Sequence, residues 1–438
     1  MGKGLGIRDQ GLTKVSEVID EISMGPFGSD IKVENFVLSG VPVLNGSNLS
    51  GFRLTEVEFK YVTKEKAKTY KKAIARRGDI VITHRGTLGQ VSFIPDNSKY
   101  DSYVISQSQF RVRLKREKAD PAFFVYYFHT DEGQKRLLSF KNHVGVPALA
   151  QATSNFRLLQ IPLPDLSTQQ KIAAVLSALD AKIELNQRIN AELESIAKTL
   201  YDYWFVQFDF PNEKGKPYKS AGGGMVWNEG LKREIPLGWE VYELSKIVCR
   251  IATGLNPRKN FVFGNGNNYY VTIKNIDYGK VVLDDRCDKV DDEALQIIDR
   301  RSDLQIGDIL FTSIEPVGKT YLLQEKPKNW NINESVFTIR PNYELVTSEY
   351  LYSLLSSEMI KSFTNQSSAG STFKGIRIGV LNTFLSAYPD KKLIYEFSEI
   401  VKPTLKKIDM IQKESQALTE LRDWLLPMLM NGQVVVTG

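Results

Sequence analysis

The chain is 438 residues long, 42% hydrophobic and 25% charged, a composition that fits two or three globular domains and excludes a disordered or fibrous chain. Its formal net charge of +6 favours an anionic partner without identifying one. No apolar run approaches the ~18 residues of a spanning helix, and the opening MGKGLGIRDQ has no apolar signal core, so a cytoplasmic protein with no membrane partner is expected.

Residues 12–165 read as short β-branched and aromatic strands broken by Gly, Asn and Pro, with one helical patch, PAFFVYYFHTDEGQKRLL, after Asp120. Residues 60–77 gather Lys64, Lys66, Lys68, Lys71, Lys72, Arg76 and Arg77, which make either a solvated face or a phosphate-facing one. The segment RRGDIVITHRGTLGQV follows at 76–91, and a strand-like QFRVR ends at Arg113.

Over residues 169–203 the pattern changes to a sustained period of three and four. Ile172, Leu176, Leu179, Ile183, Asn186, Asn190, Leu193, Ala197 and Leu200 occupy successive a and d positions with no Pro or Gly between them. A helix is expected here, with Ser167 or Thr168 as its cap, because the Pro-rich segment from Pro162 cannot be helical. Some 35 residues at 1.5 Å rise make a rod of about 50 Å, too long for one small core to cover. Asn186 and Asn190 lie in the stripe, where a buried amide would fix register; facing solvent or another subunit is the alternative. Beyond the helix, Pro and Gly mark residues 209–238 as a linker, yet Phe210, Tyr218, Trp227 and the adjoining Trp239 favour an ordered wrap.

The design then repeats. LQIGDILFTSIEPVGKT at 304–320 matches the segment at 76–91: Gly78 and Gly307 stand 229 residues apart, as do Gly89 and Gly318. Arg113 pairs with Arg340, the end of VFTIR, at 227, and Asp165 with Asp390 at 225. Slow drift of this kind is what loop insertions and deletions leave. A second module with its own helical patch, SEYLYSLLSSEMIKSF after Thr347, precedes a second long helix. In that helix Phe397, Val401, Thr404, Ile408, Ile411, Ser415, Leu418, Arg422 and Leu425 keep most of the stripe. The expected fold is α+β, with two repeated mixed α/β modules separated by two long antiparallel helices in a pseudo-twofold arrangement. The boundaries are 1–166 for the first module, 167–208 for the first helix, 209–238 for the linker, 239–390 for the second module and 391–438 for the second helix.

Catalytic signatures fail. His84, His129 and His143 are the only histidines and have no carboxylate or cysteine at metal-ligand spacing. SIEPVGKT at 313–320 has Ser where a phosphate loop begins with Gly, and places Glu315 and Pro316 in the cradle. There is no Asn-Pro-Pro-Tyr-like tetrad for base methylation. Cys249 and Cys287 are too few for a disulfide framework and are expected as buried or free thiols. The chain is expected to catalyse nothing alone.

The chain resembles the specificity subunit of type I restriction-modification systems over nearly its full length. The resemblance rests on PDLSTQQKIAAVLSALDAKIELNQRINAELESIAKTLYDYWF, on FPNEKGKPYKSAGG with EIPLGWE, on the module openings ISMGPFGSDI and RIATGLNPRK, and on the closing LRDWLLPMLMNGQV. One departure stands out: Ile394 and Tyr395 occupy the place where the family often repeats Gln-Gln in its second helix. The resemblance implies that each module is a target-recognition domain reading one half of a split asymmetric site in double-stranded DNA. It implies that the helices act as a ruler and dock two methyltransferase subunits. S-adenosylmethionine would sit on those partners, and ATP and Mg on the motor and nuclease (restriction) subunits; this chain itself would bind no cofactor and no metal.

Polar and basic residues of the Gly-containing loops are the candidate DNA contacts. They are Ser29, Thr83, His84, Arg85, Thr87, Gln107 and Gln109, with Lys71 and Lys72 from the basic run, in the first module. In the second they are Thr253, Asn256, Arg258, Lys259, Lys274, Ser313 and Lys319. The rival readings are a two-module scaffold unrelated to DNA and an enzyme with an unrecognised site.

Overall fold

Packing divides the chain into two units, Met1–Ile183 with Ala417–Gly438, and Glu184–Gln416. The structure is a computed structural model that describes residues 11–26, 31–142, 146–264, 266–277, 279–284, 287–368 and 375–436. Ser29 and His143 lie outside the described residues.

In the first unit a four-stranded antiparallel sheet has the order Ile19–Met24, Gln109–Leu114, Ile80–Thr83, Val91–Phe93. Its two central strands are buried on both faces, and the period-two alternation sorts their side chains. Ile80 and Ile82 enter one core with Phe110 and Val112, whereas Val81 enters a second core with Tyr103 and Val104. That second core belongs to another four-stranded sheet, in the order Lys60–Val62, Val41–Val43, Ser102–Val104, Ile74–Arg76. A two-stranded ribbon, Leu12–Lys14 with Gln160–Pro162, brings the ends of the module together.

The second unit repeats the first sheet strand for strand and its companion with one strand fewer. Val248–Thr253, Val336–Pro341, Ile309–Thr312 and Thr320–Leu322 form the four-stranded sheet. Ile309 and Phe311 enter one core and Leu310 the other. Its companion sheet has three strands, Asp288–Val290, Asn268–Val271 and Trp330–Ile332. The closing ribbon is Glu240–Glu243 with Leu385–Tyr388. Each helical patch resolves into two helices rather than one: Pro121–Phe128 and Asp131–Leu138, then Ser348–Leu355 and Glu358–Ser368. The first break falls at Thr130, whose hydroxyl accepts the Gly133 amide and so starts a new helix.

The Gly-Asp of the repeat marks a buried ion pair. Asp79 is 1% exposed and accepts two hydrogen bonds from the Arg113 guanidinium, both of 2.8 Å, while its Oδ2 also accepts the Arg76 amide. Asp308, fully buried, does the same with Arg340 at 2.8 and 2.9 Å and with the Gln305 amide. Gly78 and Gly307 precede them at φ of +82° and +89°, a turn conformation that favours glycine. The paired carboxylates raise the pKa of both Arg113 and Arg340.

Two long helices, Leu166–Tyr201 and Lys391–Met430, contribute to both units. The cap of the first is Asp165, not Ser167 or Thr168: its carboxylate accepts the Thr168 amide at 2.9 Å and the Thr168 hydroxyl at 2.8 Å. An aspartate reaches the third amide of a first turn better when it sits just before the helix, and Ser167 and Thr168 are already inside it. Asp390 caps the second helix through the Leu393 amide. Within the second unit the helices pair antiparallel, since Asn186 donates to Glu414 at 2.8 Å and Asn190 to the Ile408 carbonyl at 3.4 Å. Both asparagines are buried, which overturns the alternative that they face solvent. Within the first unit the same face carries an ion pair, Arg422 with Asp180 at 2.9 Å, and the Tyr126 hydroxyl donates to the other Asp180 oxygen.

The first helix ends in a wider π-turn, Asp202–Val206, where Phe205 meets the rings of Tyr350 and Phe397 edge-on at 4.9 and 5.0 Å. The segment beyond it is ordered. Phe210 stacks between Tyr218 and Trp239, Arg233 lies 4.5 Å over Phe208, and Met225–Asn228 pairs with Arg233–Pro236. Trp227 remains exposed.

Candidate nucleic-acid interface

Three loops of the first module meet at His84. This residue ends the strand Ile80–Thr83 and opens the loop to Val91. Its amide donates to Ser108 at 2.9 Å, its ring Nε2 to the Gln107 carbonyl at 3.1 Å, and its carbonyl accepts the Leu149 amide at 2.8 Å. Alongside it, Arg85 bridges Ala148 and Gly86 donates to Pro147. Gly86 and Gly89 hold φ near +90°, so the loop needs glycine at those points. Burial pushes the His84 pKa down, so the imidazole is neutral at neutral pH and Arg85 carries the positive charge of this corner.

The second module builds the same junction on Ser313. Its amide and hydroxyl both donate to the Ser335 carbonyl, at 2.9 and 2.8 Å, and its carbonyl accepts the Ile376 amide at 2.7 Å. Ile314 bridges Gly375 as Arg85 bridges Ala148.

A fourth segment joins each junction at a glycine. A side chain at Gly25 would lie 1.9 Å from the Ser106 carbonyl oxygen, and one at Gly254 1.7 Å from the Ile332 oxygen. Both glycines come from the module openings ISMGPFGSDI and RIATGLNPRK, so those openings are conspicuous because backbone must touch backbone there.

The junctions sort the candidates. In the first module Arg85, Thr87 and Gln107 are exposed together, and Lys71 and Lys72 occupy an exposed turn whose Ala73 carbonyl accepts the Ile105 amide, beside the Gln107 turn. In the second, Arg258 and Lys259 are exposed and Asn256 half-buried on the segment after Gly254. Lys274 is exposed close to Val271, whose carbonyl accepts the Asn333 amide of the Ser335 turn.

Three candidates are corrected. Thr83 is buried and donates to Gln90 at 3.0 Å; Gln109 is 1% exposed and accepts the Ser106 amide; Ser313 is buried with its hydroxyl engaged. Strand alternation turns Thr83 and Gln109 inward, so these residues shape the loops instead of facing outward. Lys319 is half-buried with its ammonium 3.5 Å from Asp277, and Thr253 accepts from Arg301 at 3.3 Å. In the basic run, Arg77 pairs with Asp101 and the Ser98 carbonyl, and Lys66 lies over Tyr70.

The junctions also expose Lys141, Asn142 and Arg377, which the motifs did not indicate. The signal was spacing: Ala148 and Gly375 stand 227 residues apart, the offset of Arg113 and Arg340. Among the described residues no group of three or more His, Cys, Asp or Glu is placed to hold a metal, and no helix is long and apolar enough to cross a membrane. Neither cysteine forms a disulfide among the described residues; Cys249 is exposed and Cys287 buried.

A duplicated module that gathers polar loops over a rigid sheet is the build of a two-part recognition protein. Residues 30–195 and 236–420 each match the type I restriction modification DNA specificity domain, and the chain belongs to that family. It is 25% identical over 445 residues to the MjaIX specificity subunit of Methanocaldococcus jannaschii, covering 98% of this chain and 94% of that one. It is 26% identical over 415 residues to the HindI specificity subunit of Haemophilus influenzae, covering 83% and 88%. The solved S subunit from M. genitalium shares the fold with a TM-score of 0.60, 16% identity and 96% coverage of each chain. The chain is thus a DNA-specificity component, which recognises sequence and leaves catalysis to other subunits.

Proposed function

We propose that each module reads one half of a bipartite, asymmetric site in double-stranded DNA through its junction loops. The observation that carries this reading is the backbone junction that the two modules share at His84 and Ser313 under divergent exposed side chains. Arg85, Thr87 and Gln107 in one module and Asn256 and Arg258 in the other reach base edges, while Lys71, Lys72, Lys259 and Lys274 hold phosphates. Ser29, on the same opening segment as Gly25, joins these residues as a DNA contact. Thr253 and Lys319 orient neighbouring loops. The paired helices set the gap between half-sites and dock two methyltransferase subunits. Those partners bring S-adenosylmethionine, and restriction subunits bring ATP and Mg, so this chain binds none of them itself. The assembly works in the cytoplasm.

Mapping methylated adenines in DNA from cells that carry this subunit with its partners tests the reading. Two short motifs at a constant gap are expected. A single continuous motif, or purified chain that shows no salt-dependent duplex binding, would refute it.

A further inference from the structure

We infer that His84 and Ser313 are the positioning residues that set base discrimination in the two modules, one in each, without contacting DNA. The inference rests on the reading that the modules recognise DNA. Both residues occupy the same backbone node: an amide bonded to the turn before the next strand, and a carbonyl that accepts an amide from the segment near the module's last short helix. In both, the side chain spends its only donor on that turn as well. Two unrelated side chains therefore do one job in one place.

Their reach differs. The Ser313 hydroxyl extends only to Ser335, whose carbonyl already accepts the Ser313 amide. The longer imidazole of His84 bonds one residue further back, to the carbonyl of Gln107, the residue whose exposed side chain faces outward. The carbonyl accepts, so Nε2 must carry the proton, and the ring is occupied as a donor. Its ring centroid lies 6.4 Å from that of Phe110, the two rings tilted at 47°. His84 thus fixes the presentation of Gln107 relative to Arg85 on the neighbouring loop. A change in that relative presentation alters which base edges both can engage at once, while leaving the phosphate contacts in place.

The test is selection from a random-sequence duplex library by the full-length chain with its co-purified partners, comparing wild type, His84→Phe, His84→Asn and Ser313→Ala. His84→Phe keeps the ring and removes the donor. It should lower enrichment of one half of the selected motif by about tenfold and spare the other half, the spacing, the melting temperature and the salt dependence of total duplex binding. His84→Asn, which restores a donor, should recover part of the loss. Ser313→Ala should weaken the opposite half in the same manner, and it decides the matter alone if His84→Phe does not fold. An unchanged motif in both folded variants overturns the inference. So does a lower salt slope, which would make His84 a direct phosphate contact, or equal loss in both halves. A wild-type chain that selects no motif refutes the reading of function itself, and is recognisable because every variant then matches it.

Discussion

The two modules agree where they are buried and differ where they are exposed. Asp79 with Arg113 and Asp308 with Arg340 match bond for bond, and Gly25 and Gly254 each press against a backbone carbonyl, that of Ser106 and that of Ile332. Over that shared skeleton one loop offers Arg85 and Thr87, and the other Glu315 and Pro316. Inside the repeat, recurrence therefore reports architecture, and reading is carried where recurrence fails. Arg111 illustrates the middle case. In the first module it donates to the Lys72 carbonyl and pairs with Glu21, which lowers the Glu21 pKa, whereas its counterpart Thr338 donates to Asp308.

The strongest way to break the comparison is to remove one carboxylate of the shared skeleton. Asp79→Ala removes both 2.8 Å bonds of Arg113 and leaves it Glu21, and about 3 kcal/mol of stability should be lost, somewhat less than for a fully enclosed pair because Arg113 is a third exposed. Hydrogen exchange should then accelerate in Ile80–Thr83 while Ile309–Thr312 stays protected; Asp308→Ala should give the mirror image. Loss of protection in both strands at once would show that the modules do not behave as independent copies. Next in size are Gly25→Ala and Gly254→Ala. Each forces backbone apart at a junction, at roughly 1–3 kcal/mol, and should weaken duplex binding even where melting falls little.

A third change acts on exposed groups alone. Arg85→Ala and Arg258→Ala should each weaken binding to a cognate duplex by about tenfold with melting unchanged. Equal affinity and an equal salt slope would remove that arginine from the interface. Asn186→Leu with Asn190→Leu works in the opposite direction. Replacing two buried amides by apolar groups should raise the denaturation midpoint of the second unit, a gain of about 1 kcal/mol in unfolding free energy, while loosening helix register. A lower midpoint would mean that the bonds to Glu414 and the Ile408 carbonyl outweigh the cost of burying the amides.

Much of the fold was legible because it follows from periodicity. Ile172, Leu176, Ile183 and Ala197, with Phe397, Val401, Ile408 and Ile411, are buried at the heptad positions that sequence spacing assigns. The stripe survives Pro403, which is exposed and removes a single amide from the helix. What sequence spacing could not show was direction within loops. Thr83, Gln109 and Ser313 are polar, as a contact residue would be, yet Thr83 and Gln109 are buried within strands and Ser313 is buried with its hydroxyl on the Ser335 carbonyl. Lys141 and Arg377 carry no motif and reach the junction only through long-range pairing of Ala148 with Arg85 and Gly375 with Ile314.

The finest difference between the halves lies at the two helix caps. Asp165 accepts both the amide and the hydroxyl of Thr168, whereas Asp390 accepts only the Leu393 amide, leucine having no hydroxyl to offer. Asp165→Ala should therefore cost about 1 kcal/mol and Asp390→Ala a few tenths less. The pKa of Asp165 lies below the ordinary carboxylate value, chiefly because the Thr168 amide bonds its charged form and secondarily because the Thr168 hydroxyl does. A lowered folded-state pKa means that the cap's contribution is complete above the unfolded value near 4 and is lost as pH falls through the lower folded value. The penalty of Asp165→Ala, measured by thermal unfolding, should accordingly be constant from about pH 7 to pH 5 and shrink below pH 4. A penalty that stays constant down to about pH 3 would show that the hydrogen bonds of the Asp165 carboxyl, and not its charge, start the helix.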